Sequence, residues 1–336
     1  MTFNTKILAI DYEVAKDIIK NDDLTSILDT SDEWIVSRTG IKERRIASLN
    51  TTPTTLGISA ARKVIERAKK YKNFNPDDID LIISACSAPE DIYPSVSCLI
   101  QGALNIKNCA CFDLRAACAG FIYSLNTARA YIKSGIYKNI LIVATDTTTK
   151  NTDWNDRSTC VLFGDGAGAA IVSASDDTDD NVIGINLFAR GDCGDFIRFQ
   201  VKRNNCPLVE QSSNEIIPFI QMKGKDVYKF VMQEIPPKIE ELLNSTETKI
   251  EEIDYFIPHQ SNQRMIDALG ERIGIDKDKV ISNIALYGNM SAASILVAIR
   301  DAVDKGIIKL PAKIIISAFG AGMTGANAIL KLEKDI

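Results

Sequence analysis

The sequence predicts an α/β fold with helices packed on mixed sheets, built from two duplicated halves. Three observations predict it. Short apolar runs of strand length alternate with longer stretches of helical period. Two acidic turns each feed such a run: Asp77-Asp78-Ile79-Asp80-Leu81-Ile82-Ile83-Ser84 and Glu251-Glu252-Ile253-Asp254-Tyr255-Phe256-Ile257-Pro258. Two helical patterns of matching length, opening at Cys118 and at Asn289, each end on a glycine suited to the position after a helix, Gly135 and Gly306.

Taken in order, Ile7 to Ile10 is a first short apolar stretch, broken at Asp11. Thr51 to Thr55 starts a helix whose Leu56, Ala60, Val64 and Ala68 recur on one side. The run ending at Ser84 reads as a buried parallel strand. The helix opened by Cys118 is followed by a strand, Ile140 to Ala144. Thr159 to Phe163 reads as a strand, Gly164-Asp165-Gly166-Ala167-Gly168 as a tight turn, and Ala169 to Val172 as the next strand. The acidic run Asp176-Asp177-Thr178-Asp179-Asp180 reads as a solvated linker. It separates a first half, residues 1–175, from a second, residues 183–336. In the second half the strand ending at Pro258, the helix opened by Asn289 and a strand from Lys313 to Ala318 repeat the earlier order.

Composition narrows the function classes. A chain of 336 residues suits two fused domains, and 46% hydrophobic with 25% charged residues is ordinary for a globular protein. Net charge is −5, which does not invite nucleic acid over the whole surface. Two local basic groupings stand out, Lys202 with Arg203, and Lys223, Lys225 and Lys229. No secretory signal opens the chain, and no apolar run reaches the ~20 residues of a membrane span, so a cytoplasmic protein is expected. Cys86, Cys98, Cys109, Cys111, Cys118, Cys160, Cys193 and Cys206 form no C-x-x-C pair. No metal site is expected, and most of these thiols read as buried and reduced.

The chemistry centres on one residue. His259 is the only histidine, in Ile-Pro-His-Gln-Ser-Asn (Ile257 to Asn262). A lone His is more often packed or hydrogen-bonded than catalytic. Two segments offer partners: Ala116-Ala117-Cys118-Ala119-Gly120-Phe121 and Tyr287-Gly288-Asn289-Met290-Ser291. A thiol at a helix N-terminus has its anion favoured by unpaired N–H groups. A neutral imidazole N–H and an Asn side-chain N–H aimed at one point make an oxyanion hole, although Asn289 also suits a plain turn. The string Gly164 to Gly168 has neither a phosphate-binding Lys nor the dinucleotide spacing. Phe319-Gly320-Ala321-Gly322-Met323-Thr324-Gly325 reads as a loop near the site.

These segments, together with Asp29-Thr30-Ser31-Asp32-Glu33-Trp34-Ile35-Val36-Ser37-Arg38-Thr39-Gly40-Ile41, resemble the β-ketoacyl-acyl-carrier-protein synthase III family of thiolase-fold condensing enzymes. The resemblance implies a thiolase-like fold, two mixed five-stranded sheets in an α-β-α-β-α arrangement. It implies a decarboxylative Claisen condensation of a short acyl-CoA, by expectation acetyl-CoA, with malonyl-carrier protein, without a cofactor. Cys118 would take the acyl group, His259 and Asn289 would hold the enolate oxygen, and the N–H groups of Cys118 and Ala321 the tetrahedral oxyanion. Ala321 departs from the family's usual Gly. Trp34 and Arg157 would sandwich the CoA adenine, and Thr30, Arg38, Gly224, Lys229 and Asn262 would line the channel. Arg264, Lys223 and Lys225 are candidates for docking the acidic carrier protein. The family's members are homodimers, and Tyr93 matches the residue that floors the partner's acyl pocket.

Two departures bear on substrate choice. Ala9-Ile10-Asp11-Tyr12-Glu13-Val14-Ala15 replaces the usual Gly- and Pro-containing end of the first strand, which suggests a different loop there. Gly325 replaces an aromatic, which suggests a larger or looser site. Two other readings compete: a starter-unit enzyme or acyltransferase of a secondary-metabolite pathway, and a non-catalytic partner subunit. A scaffold has no need of Cys118, His259 and Asn289 together.

Overall fold

The computed structural model describes residues 3–176, 180–201, 208, 216–334 and 336. Lys202, Arg203, Cys206 and the centre of the acidic run, Asp177 to Asp179, lie outside the described residues. One sheet has five strands in the order β1-β7-β6-β4-β5. These are β1 (Asn4–Val14), β4 (Leu81–Ala85), β5 (Ala110–Leu114), β6 (Asn139–Thr147) and β7 (Asp165–Ser175). The β4 strand runs parallel to β5 and β6, and β7 runs antiparallel to β6 and β1. A second sheet has four strands in the order β11-β12-β13-β8. These are β8 (Val182–Ala189), β11 (Tyr255–Pro258), β12 (Ala312–Gly320) and β13 (Thr324–Leu332). Two small ribbons pair β2 (Asp17–Lys20) with β3 (Glu43–Ile46), and β9 (Ile197–Arg198) with β10 (Gln221–Met222).

Strand alternation builds the layers. Leu81, Ile83 and Ala85 of β4 face a central core with Ile140 and Ile142, while Ile82, Leu141 and Val143 face the opposite side. The central core is filled by α5 (Gly120–Lys133) and α9 (Ser294–Asp304), and closed from beyond by Ile314, Ile316, Ala326 and Ala328 of the second sheet. Helices α3 (Pro53–Lys72) and α4 (Val96–Leu104) cover the outer face of the first sheet. Helices α6 (Gly224–Ser245) and α7 (Gln263–Arg272) cover that of the second. Short helices α1 (Asn21–Leu24), α2 (Asp32–Thr39) and α8 (Ile284–Tyr287) join a smaller apolar cluster with Cys160 to Phe163. The arrangement is α-β-α-β-α with mixed sheets.

The structure differs from the sequence expectations at several points. The second sheet has four strands among the described residues, not five. The segment after α7, where a fifth would lie, makes a single bridge from Val280 to Phe256. Thr159 to Phe163 is not a strand. Asp156 accepts hydrogen bonds from the Ser158 hydroxyl at 2.6 Å and the Cys160 N–H at its own carbonyl at 3.0 Å, so local bonding winds Cys160–Leu162 into a 3-10 turn. Gly164 to Gly168 is not a turn either, because β7 already begins at Asp165. Its small residues instead admit the central helix layer: a Cβ on Gly168 would lie 2.4 Å from Leu296 Cβ. The first strand continues through Val14, paired with Gly166. Cys98 is exposed, whereas Cys86 and Cys160 are buried as expected.

Gly168→Ala should push α9 off the first sheet. Overpacking of this kind costs about 1–3 kcal/mol, read as a lower urea midpoint. A midpoint equal to wild type would refute the close approach of β7 and α9.

Candidate active site

Cys118 sits in a 3-10 turn, Ala117–Ala119, at the entry to α5. Ala117 is held at φ 48, a left-handed conformation that a residue with a Cβ adopts only when its surroundings impose it. Those surroundings are tight. A Cβ on Gly320 would lie 2.7 Å from the Cys118 N, and one on Gly120 would lie 2.8 Å from Ala85 Cβ. Thr324 Oγ1 donates to the Ala116 carbonyl at 3.1 Å, so the β12–β13 turn that carries Ala321 is tied to the segment before the thiol. Burial pushes the Cys118 thiol up to about 12, against the lowering expected from a helix start alone. The resting group is a neutral thiol.

His259 follows β11, and its N–H donates to the Ser317 carbonyl at 2.7 Å, extending the parallel pairing by one residue. The ring is 2% exposed and meets Phe319 edge-on, centroids 5.4 Å apart. Its Nδ1 is buried and has no hydrogen-bond partner among the described residues. Burial pushes the imidazole down to about 3. It is therefore neutral, with one ring N–H available to donate. Gln260 is also buried. Its Nε2 donates to the Pro258 carbonyl at 2.7 Å and its Oε1 accepts from the Asn283 N–H at 2.9 Å, which holds the loop shut.

Asn289 does not open a helix. It is gripped as a strand residue: its N–H donates to the Leu162 carbonyl at 2.8 Å and its carbonyl accepts from Gly164 N at 2.9 Å. A Cβ on Gly164 would meet the Tyr287 carbonyl at 2.1 Å, so this backbone contact requires glycine. Asn289 Oδ1 accepts from the Ser291 N–H at 2.8 Å. With the carbonyl end taken, the amide NH2 is the end left to donate.

Two short chains of contact join the three residues. Cys118 Sγ lies 3.6 Å from Ser291 Oγ, and Ser291 holds Asn289. The Cys118 backbone abuts Gly320, and Phe319 packs on His259. Sequence reasoning missed Ser291 and the buried Asp146, since neither stands in a spacing that marks it.

Of the candidate channel residues, Arg38 and Arg157 lie against Trp34, which is half-buried. The guanidiniums of Arg38 and Arg157 both lie 5.0 Å from its ring centroid, so Arg38 joins the expected stack. Arg157 also bonds the Asp29 carbonyl. Thr30 Oγ1 is buried without a partner among the described residues. Asn262 is engaged: its Nδ2 donates to the Arg38 carbonyl at 2.9 Å, and its Oδ1 caps α7. Lys223, Gly224, Lys225 and Lys229 stand exposed at the start of α6, and Arg264 is exposed in the first turn of α7. Lys223 is paired with Asp195. Ile220 and Met222, just before α6, pack on the same cluster as Trp34. Tyr93 is 85% exposed and its neighbour Ile92 70%. Gly325 does not enlarge the site. Phe188, its partner across β8, covers it so closely that a Cβ would come within 2.2 Å of the ring. Among the described residues no group of three His, Cys, Asp or Glu is placed to hold a metal ion, and no helix is long and apolar enough to cross a membrane.

Comparison with known proteins points to one family. A family model described as 3-oxoacyl-[acyl-carrier-protein (ACP)] synthase III matches residues 112–191, and its C-terminal counterpart matches residues 243–332. The chain is 41% identical to the β-ketoacyl-[acyl-carrier-protein] synthase III of Clostridium acetobutylicum, covering 98% of this chain and 99% of that protein. The crystal structure of 3-oxoacyl-[acyl-carrier-protein] synthase III from Aquifex aeolicus VF5 matches with a TM-score of 0.88 at 40% identity, over 97% of this chain and 99% of that one. The priming β-ketosynthase of the R1128 polyketide pathway matches with a TM-score of 0.90 at 29% identity, over 100% of this chain and 98% of that one.

With one histidine in the chain, its C2–H resonance reports His259 alone. That resonance should stay flat from about pH 5 to about pH 8, where an ordinary imidazole titrates. The unfolded chain takes up this proton below its ordinary 6.5, and the folded chain only near 3. Stability should therefore fall as pH drops through that window. A midpoint near 6.5 in the folded protein would refute the buried neutral imidazole.

Proposed function

Because the chain belongs to the 3-oxoacyl-[acyl-carrier-protein] synthase III family of condensing acyltransferases, we propose that its own residues perform the family's reaction as follows. The reaction is a decarboxylative condensation of a short acyl-CoA with malonyl-carrier protein, the step that initiates fatty acid synthesis. Cys118 Sγ attacks the acyl thioester, and CoA leaves. Malonyl-carrier protein then enters and loses carbon dioxide. The enolate carbon attacks the Cys118 thioester, and the 3-oxoacyl product leaves on the carrier.

The single observation that carries this reading is the neutrality of the donors. A buried His259 held far below its ordinary pKa keeps an N–H without a charge. Asn289, its Oδ1 taken by Ser291, presents its amide N–H groups. Two such donors stabilise an enolate oxygen that exists only during decarboxylation, each worth roughly 2.7–4 kcal/mol of barrier. The N–H groups of Cys118 and Ala321 take the tetrahedral oxyanion in the same way. The half spanning residues 1–175 supplies the nucleophile, and the half spanning 183–336 supplies His259 and Asn289.

The adenine of CoA would enter between Trp34 and Arg157, with Arg38, Thr30, Gly224, Lys229 and Asn262 along the channel. Exposed Arg264, Lys225 and Lys223 suit an acidic carrier protein. The exposure of Ile92 and Tyr93, and the position of β5 at the end of its sheet with no further strand paired to it among the described residues, favour a homodimer in which Tyr93 enters the partner's acyl pocket. A tyrosine there, and Phe188 over Gly325, favour a small acyl group such as acetyl. Identity favours primary metabolism over a polyketide priming role, 41% against 29%.

Intact-protein mass spectrometry with acetyl-CoA and malonyl-carrier protein tests the reading. An acetyl adduct on Cys118 and an acetoacetyl-carrier product are expected. Cys118→Ala should lose the adduct. His259→Ala should keep the adduct and lose malonyl decarboxylation by about 10²–10³-fold. Turnover in Cys118→Ala, or lost acylation with intact decarboxylation in His259→Ala, would reverse the roles.

A further inference from the structure

The side chain within hydrogen-bond distance of the proposed nucleophile is Ser291, with Oγ 3.6 Å from Cys118 Sγ. Ser291 is held at φ 50, a conformation its surroundings must impose. Its N–H is spent on Asn289, its hydroxyl meets the thiol, and the 3-10 turn it opens, Ser291–Ala293, packs against β6, the strand that carries Asp146.

Asp146 stands near the end of β6 and is 1% exposed. Its Oδ1 accepts from Ser87 N at 2.9 Å, Ala88 N at 3.3 Å and Cys86 Sγ at 3.7 Å. Its Oδ2 is buried with no hydrogen-bond partner among the described residues. No ion pair reaches this carboxyl among the described residues, and the ionisable side chains facing it are Cys86 from the end of β4 and Cys118 from the start of α5. Burial pushes Asp146 above the usual carboxylate range, and the donors Ser291, Ser87 and Ala88 partly offset that push. Within ordinary hydrogen-bond distance no donor reaches Oδ2 in the resting protein among the described residues, Ser291 included. An unpaired buried acceptor is costly, so its retention beside a reacting group calls for a role.

We propose that Ser291 and Asp146 are the proton exit of the nucleophile, with Asp146 Oδ2 taking the Cys118 proton through the Ser291 hydroxyl as the thioester forms. The inference rests on Cys118 as the acylated thiol. The bond from Cys118 Sγ to the acyl carbon forms, and the bond from that carbon to the CoA sulfur breaks. The thiol proton passes to Ser291 Oγ while the Ser291 proton passes to Asp146 Oδ2. CoA leaves as a thiolate and takes a proton from solvent. When condensation expels Cys118 as a thiolate, the same route returns the proton from Asp146. His259 is poorly suited to this task, since its imidazole resists protonation.

Two variants on separate elements test the route, so that misfolding of one leaves the other. Asp146→Asn keeps an acceptor for Ser87 and Ala88 but takes no proton. Ser291→Ala removes the hydroxyl and keeps the N–H that holds Asn289. Rapid-quench mass spectrometry follows Cys118 acylation with the acyl-CoA that wild type accepts, across about pH 6 to 9. Each variant should acylate about a hundredfold more slowly near neutrality, the usual worth of a positioned base. Its rate should then climb about tenfold per pH unit as hydroxide takes over, steeper than wild type. Wild-type rates with a wild-type pH profile in both variants would overturn the proposal. So would a faster Asp146→Asn, which would mean that the carboxylate only repels the thiolate. A uniform loss with an unchanged profile would reduce both residues to structure and overturn it as well. If wild type itself forms no adduct on Cys118, the proposed function fails with it, which separates the two failures.

Discussion

The site depends on the backbone grip between Asn289 and the Leu162–Gly164 segment. Two hydrogen bonds, at 2.8 and 2.9 Å, hold Asn289 in a parallel bridge with Phe163. The grip works because Gly164 has no Cβ, and because Gly288 takes φ 66 beside it. Arg44 stands behind this contact, fully buried, bonding the Val161 carbonyl at 3.1 Å and Asn21 Oδ1 at 2.7 Å. Loosen the grip and Asn289 loses its aim, Ser291 loses its strained backbone, and the thiol loses its polar neighbour. One close approach therefore sets the carboxamide, the hydroxyl and the nucleophile together.

The electrostatics of the site follow from burial. Desolvation favours the neutral forms, pushing the part-exposed Cys118 thiol up to about 12 and the buried His259 imidazole down to about 3. Neutral donors suit a reaction whose negative charge appears late and only at the transition state, because they impose no charge on the resting site. The thiol's hydrogen-bond partner among the described residues is a hydroxyl, Ser291, and the proposed Ser291–Asp146 route gives its proton a destination.

Much of the fold was legible because buried parallel strands write themselves as apolar runs. Leu81 to Ala85, Ile140 to Ala144 and Tyr255 to Pro258 are such runs. Gly135 and Gly306, with φ 72 and 68, end their helices as a residue without a Cβ can. The misread segments are those where a local or long-range contact overrode propensity. At Thr159 to Phe163 the Asp156 turn outcompeted a strand. At Gly164 to Gly168 the glycines serve packing against α9, which no local pattern announces.

The sequence by itself determined which reactive groups exist and which backbone states are open. It holds one imidazole, a thiol among small residues, and glycines where the chain must come close, and these follow from residue type alone. Tertiary structure alone decided which groups meet. Ser291 and Cys118 lie 173 positions apart, and Phe188 covers Gly325 only because β8 pairs with β13. Burial is likewise a property of the assembled layers, so the neutral state of His259 and the enclosed carboxyl of Asp146 arise only when the two sheets close over the central helices.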